Sequence, residues 1–143
     1  VNYLLDTNVL SEVRRPAPDS NVLTWLDQVD EDRVYLSVIS IAEIARGIAL
    51  LDDGRRKHEL AIWLEHELPA RFESRVLDGD TQTALLWGRM MGDASREGRG
   101  LSVMDGWIAA IAKRHGLTLV TRNTKDFQDT GIELADPWSA GFP

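Results

Sequence analysis

The sequence predicts an α/β fold, a single domain with a mainly parallel central sheet flanked by helices, and three observations carry that reading. Short apolar runs of a few residues alternate with longer stretches of helical spacing along the chain, as they do where strands and helices take turns and the sheet is parallel. The 143 residues suit one core and leave no room for a second, so one domain is expected over 1–143. No repeat, low-complexity tract or Gly/Ser linker interrupts the alternation.

In chain order, Tyr3 to Leu5 is an apolar run ending at Asp6 and predicts the first strand. Thr7 to Arg14 and Asn21 to Gln28 have helical spacing, with Pro16 closing the first. Val34 to Ser37 predicts the second strand, followed by a helix over Ser40 to Leu51. Lys57 to Leu68 reads as a helix closed by Pro69, and Arg75 to Leu77 as the third strand. Helices are expected over Thr81 to Ser95 and Ser102 to His115, the latter stopped by Gly116 behind Lys113-Arg114-His115. Thr118 to Val120 and Ile132 to Leu134 complete the strands. The polar stretches 14–19, 52–57, 96–100 and 123–131 read as loops or helix ends.

Composition narrows the function. With 43% hydrophobic and 27% charged residues, and no run of the roughly 18 apolar residues a membrane helix needs, a soluble globular protein is expected. The absence of cysteine removes disulfides, thiol catalysis and thiolate metal sites. No export leader is legible, so a cytoplasmic address is expected. Sixteen Lys and Arg stand against 23 Asp and Glu, a net charge of −7, the wrong sign for wrapping nucleic acid through bulk charge. The exception is an acidic excess gathered around a metal ion, which inverts the charge a phosphate meets.

Ligands of parallel sheets bind beyond the carboxyl ends of the strands. The residues there are Asp6-Thr7-Asn8, Ser37 to Glu43, and Thr121-Arg122-Asn123. Asp6 is the only charge in Val1 to Leu10 and Asp105 the only one in Leu101 to Ala112, while Glu43 shares Val34 to Leu51 with Arg46 alone. Burying a lone carboxylate costs several kcal/mol unless it is paired or bound to metal. Each acid has a structural reading: Asp6 as a helix cap, Ser40/Glu43 and Ser102/Asp105 as capping boxes, and Glu43 as a partner of Arg46. All three, however, are expected near the same edge of one sheet. Mutually repelling carboxylates are best reconciled by a hard divalent cation, Mg²⁺ or Mn²⁺, which also activates water and neutralises a phosphodiester. Nuclease chemistry follows.

Rival chemistries are poorly served. Asn8 stands where a D-x-D phosphatase opening needs its second acid, and the sequence contains no P-loop, dinucleotide-binding, serine-hydrolase or H-E-x-x-H string. His58, His66 and His115 lie in charged surroundings and read as solvated. Trp25, Trp63, Trp87, Trp107 and Trp138 read as core or interface anchors rather than base-stacking platforms.

LLDTNVLSE, SVISIAEIARG, LSVMDGWIAAIAKRHGLTLVTRNTKDF and the closing DPW, in that order, resemble the PIN-domain toxins of VapC type, and among them the FitB-like branch. The resemblance runs from about Tyr3 to Trp138. It implies a Mg²⁺- or Mn²⁺-dependent endoribonuclease, the toxin of a type II toxin–antitoxin pair. Such toxins are usually dimeric and are held inactive by a small ribbon-helix-helix antitoxin, through which alone operator DNA is bound. By position, Asp6, Glu43 and Asp105 resemble the catalytic, metal-binding acids, with Thr7, Asn8, Ser37 and Thr121 as the polar shell. Many relatives carry Asp where Asn123 stands, so the fourth ligand is expected to be Asn123 or Asp126. Two alternatives are a catalytically weak PIN-fold regulatory subunit acting through its antitoxin at operator DNA, and a structure-specific DNA nuclease. Intact acids at 6, 43 and 105 favour activity.

Overall fold

A computed structural model describes residues 1–139, so the last four positions of the expected domain lie outside the described residues. Strands β1 (Tyr3–Leu5), β2 (Val34–Ser37), β3 (Val76–Leu77), β4 (Thr118–Val120) and β5 (Leu134–Ala135) pair in the order β3-β2-β1-β4-β5. Every pairing is parallel, with Leu4 beside Tyr35 and Leu5 beside Val120. Residues of successive strand positions face opposite sides, so the sheet separates two apolar layers. Leu5, Leu36 and Val120 face α1 (Thr7–Val13), α2 (Ser20–Gln28), α3 (Val38–Ala49) and α5 (Leu68–Phe72) through Val9, Val22, Trp25, Ile48 and Phe72. Leu4 and Leu119 face α6 (Thr81–Arg96) and α7 (Val103–His115) through Met90 and the buried run Ile108 to Ala112.

The element order and class are those the sequence predicts, and β1, β2 and β4 fall on the expected residues. The edges differ. Arg75 belongs to a 3₁₀ turn, leaving β3 only Val76–Leu77. Ile132 packs on the α6–α7 layer ahead of the ladder, and β5 is Leu134–Ala135.

Two helices also depart from expectation. α3 begins at Val38, capped by Ser37, whose hydroxyl accepts the Ser40 N–H at 3.2 Å. Ser40 is therefore inside the helix, and the capping box expected from Ser40 to Glu43 does not form. Pro69 does not close its helix either. α4 (Arg55–Ile62) begins within the expected 52–57 loop and runs into a π turn, Trp63–Glu67, before α5. There the Leu68 N–H reaches back five residues to the Trp63 carbonyl. That wider turn accommodates the Pro69 ring, which then sits in the first turn of α5, where a missing N–H costs little. Gly116 ends α7 in the left-handed conformation, φ 64°, as expected.

The chain builds β1, β2 and β3 toward one side and β4 and β5 toward the other, so the strand order reverses between β1 and β4. A crevice opens at such a point beyond the carboxyl ends. No helix among the described residues is long and apolar enough to cross a membrane.

Candidate active site

Asp6 occupies that reversal. Its N–H continues the ladder to the Val120 carbonyl at 2.9 Å, and its side chain caps α1, Oδ1 accepting the Thr7 N–H at 2.7 Å. Oδ2 accepts the Thr121 hydroxyl at 2.7 Å from the end of β4, and the Asn8 amide at 3.4 Å. The cap expected of Asp6 is thus real, yet it does not account for the electrostatics. Asp6 is 5% exposed, and its pKa is pushed up to about 6. Burial is the main cause. The Thr121 and Thr7 bonds pull the other way, and the negative charges of Asp105 and Glu43 push it further up.

Glu43 arrives from the second turn of α3, where its Oε1 accepts the Thr7 hydroxyl at 2.7 Å. The same Thr7 oxygen lies 2.9 Å from Ser40 Oγ. Among the described residues no ion pair joins Glu43 to Arg46. Asp105 sits in the first turn of α7 and donates its N–H to the capping Ser102 hydroxyl at 3.2 Å, as one half of the expected box. Half-burial raises its pKa, the Ser102 hydroxyl opposes this, and the charges of Asp126 and Glu43 add to it. The following Gly106 lets α7 lie close to α6: a Cβ there would meet Met91 Sδ at 2.5 Å and Trp87 Nε1 at 3.0 Å.

The remaining expected residues divide. Thr121 is fully buried and bonds Asp6, and Asn8 reaches both, its amide 3.3 Å from Thr121 Oγ1. Among the described residues Ser37 makes no hydrogen bond to any of the acids; it holds the start of α3, linked to them through Ser40 and Thr7. Asn123 donates its backbone N–H to Thr121 Oγ1 at 3.0 Å, while its side chain is exposed and, among the described residues, makes no hydrogen bond. Asp126, exposed in the 3₁₀ turn Thr124–Phe127, acts on Asp105 through its charge. Sequence reasoning missed Ser40 as a contact of Thr7; the only available signal was its place three residues after Ser37. His58, His66 and His115 are exposed.

Asp6, Glu43, Asp105 and Asp126 thus form a chain of electrostatically coupled acids, and among the described residues none of them has an ion-pair partner. Also among the described residues, no three acids or imidazoles stand close enough to enclose an ion without side-chain movement. In kind, the donors fit a hard divalent cation: all are oxygens, and the burial and, after it, the mutual repulsion that raise Asp6 and Asp105 are what such an ion would offset.

A model described as the PIN domain matches residues 3–133. The chain is 40% identical over 135 residues to Toxin FitB of Neisseria gonorrhoeae, covering 94% of this chain and 97% of that protein. It is 36% identical over 135 residues to VapC ribonuclease Y4jK of Sinorhizobium fredii, covering 94% and 96%. Among solved structures, FitAB bound to an IR36 DNA fragment superposes with a TM-score of 0.89 at 38% identity, covering 96% of each chain.

Proposed function

We propose, from the premise that this chain belongs to the PIN-domain family, that it is the toxin of a type II toxin–antitoxin pair and cleaves RNA as a metal-dependent endoribonuclease. The observation that carries this reading is the coupling of Asp6, Glu43 and Asp105 at the strand-order reversal, with no ion-pair partner for any of them among the described residues. A regulatory subunit without chemistry has no use for a carboxylate buried at that cost. The whole chain, 1–143, acts as one PIN domain in the cytoplasm, as a homodimer. Its cognate antitoxin holds it inactive and carries it to operator DNA, as the FitAB complex on DNA suggests by similarity.

Asp6, Glu43 and Asp105 would hold a Mg²⁺ or Mn²⁺ ion, with Asp126 or Asn123 beside them. Such an ion, when bound, supplies acidity to a water and neutralises charge on the phosphodiester. The chain's own residues prepare for it. Thr121 and the Thr7 N–H fix the two oxygens of Asp6 from opposite sides. The Thr7 hydroxyl holds Glu43 toward β1, so one residue orients two acids from two elements. Asn8 ties the start of α1 to Asp6 and to Thr121 at the end of β4. The test is incubation of the antitoxin-free protein with total RNA and Mg²⁺, followed by mapping of new 5′ ends. Discrete metal-dependent cuts are the result expected; intact RNA overturns the reading.

A further inference from the structure

We propose that Arg122, laid over the ring of Trp138, is a substrate-binding residue that grips a phosphate of the RNA strand beside the acid cluster; this rests on the ribonuclease reading above. A strand entering a site of coupled carboxylates on a chain of net charge −7 meets repulsion at every phosphate the metal does not touch. A cation fixed beside the crevice removes that obstacle for the flanking phosphate.

Several arginines are already engaged. Arg15, Arg33, Arg55, Arg71 and Arg99 form ion pairs with carboxylates, and Arg56 and Arg75 donate to backbone carbonyls. Arg122 is different. It follows Thr121 at the carboxyl end of β4, and its N–H donates to Asn8 Oδ1 at 3.4 Å, so its backbone is tied to the two residues that hold Asp6. Its guanidinium carbon lies 5.4 Å from the centroid of the Trp138 ring. Trp138 is itself anchored: its N–H donates to Asp136 Oδ1 at 2.9 Å, and its carbonyl accepts the Asn21 amide at 2.8 Å. Its ring packs against the core layer around α1 and α2.

The guanidinium is therefore held by an aromatic platform while, among the described residues, no carboxylate or carbonyl takes any of its N–H donors, and the residue is exposed. A purely structural role would be served by an Arg122–Asp136 ion pair, and among the described residues none forms; the Asp136 oxygens accept the Trp138 N–H and the Ser139 hydroxyl instead. A planar fork with free donors, fixed against a ring at low entropic cost, matches a phosphate.

Steady-state cleavage of a single-stranded RNA at several salt concentrations, with thermal melts of each variant, tests this. Arg122→Gln should raise KM about tenfold with kcat within about twofold, and reduce the salt slope by about 0.7, one single-strand phosphate contact. Arg122→Lys should recover part of the loss, and Trp138→Leu should raise KM less than Arg122→Gln and add nothing to it. If the parent cuts RNA and Arg122→Gln leaves KM and salt slope unchanged, or lowers kcat instead, the proposal is wrong and the ribonuclease reading stands. A parent that neither cuts nor binds RNA overturns that reading and, with it, the role of Arg122.

Discussion

Helix α1 has a buried carboxylate at each end, and the two resolve the same problem in opposite ways. Asp6 and Glu12 are each 5% exposed. Glu12 is met by a cation of the chain, Arg15 Nη1 at 3.2 Å from Oε1, while its Oε2 accepts the Asp19 N–H at 2.8 Å. Asp19 in turn caps α2, so Glu12 builds the corner between two helices. Asp6 is met by hydroxyls, amides and other acids, and its pKa rises to about 6. A buried carboxylate with its counter-ion built in is architecture. One whose neighbours only orient it is the one we propose to take its cation from solution.

The largest expected effect separates the two in activity. Asp6→Asn, Glu43→Gln or Asp105→Asn should each lower RNA cleavage about a hundredfold or more with the fold retained, while Glu12→Gln should cut RNA as the parent does. Initial rates on one RNA substrate, with circular dichroism of each variant, check this. Equal losses at both ends of α1 would abolish the distinction.

A second contrast appears in stability without substrate. The folded pKa of Asp6, about 6, lies above the ordinary 3.8, so the native state binds that proton more tightly than the unfolded chain does. Its contribution is fully present below about pH 4 and is lost as pH rises through about 6, about 3 kcal/mol in all. Thermal melts in chelator should therefore show the parent losing stability relative to Asp6→Asn over that interval. Asp6→Asn should reduce the dependence, leaving the part due to Asp105, and be the more stable protein at pH 7 in chelator, an advantage that shrinks or reverses in excess Mg²⁺. A parent whose stability relative to Asp6→Asn rises from pH 4 to 7 in chelator would mean that burial and its acidic neighbours do not hold the Asp6 pKa up. At the other end of the helix, Glu12→Ala should cost about 1–3 kcal/mol with or without Mg²⁺, because it leaves the half-buried Asp19 N–H without its acceptor.

The two ends of α1 were not equally legible in sequence. Asp6 stands alone in an apolar run, and isolation is what made it, Glu43 and Asp105 visible. Glu12 lies beside Arg14 and Arg15 in a polar stretch, which does not mark it as buried; the fold buries it at the corner before α2, where it accepts the Asp19 N–H. The central strands β1, β2 and β4 could be read because each is an apolar run with a polar stop, whereas β3 and β5 are two-residue edges whose limits depend on neighbours. The start of α3 was misread because Ser37 and Ser40 are both good caps, and the choice between them is made by where β2 ends. Thr121 was found from its place after β4, but Ser40 as a contact of Thr7 needs the crossing of α1 and α3, which no local pattern encodes.

The smallest effect concerns the fourth acid position, where Asp126 and Asn123 differ as Asp6 and Glu12 do, by electrostatic setting. The charge of Asp126 already raises the Asp105 pKa, while the Asn123 side chain is exposed and, among the described residues, makes no hydrogen bond. Asp126→Asn should therefore weaken Mg²⁺ binding about three- to tenfold at pH 7, since a hard cation loses a nearby carboxylate. In chelator the same variant should be slightly more stable than the parent at pH 7, because Asp105 then ionises more easily. Asn123→Asp should change Mg²⁺ affinity by less than about threefold unless its side chain turns inward. Mg²⁺ titrations followed by the shift in Tm measure all three proteins on one scale. Should Asn123→Asp tighten binding tenfold while Asp126→Asn leaves it unchanged, the fourth position belongs to residue 123, and the repulsion between Asp126 and Asp105 is incidental to the metal.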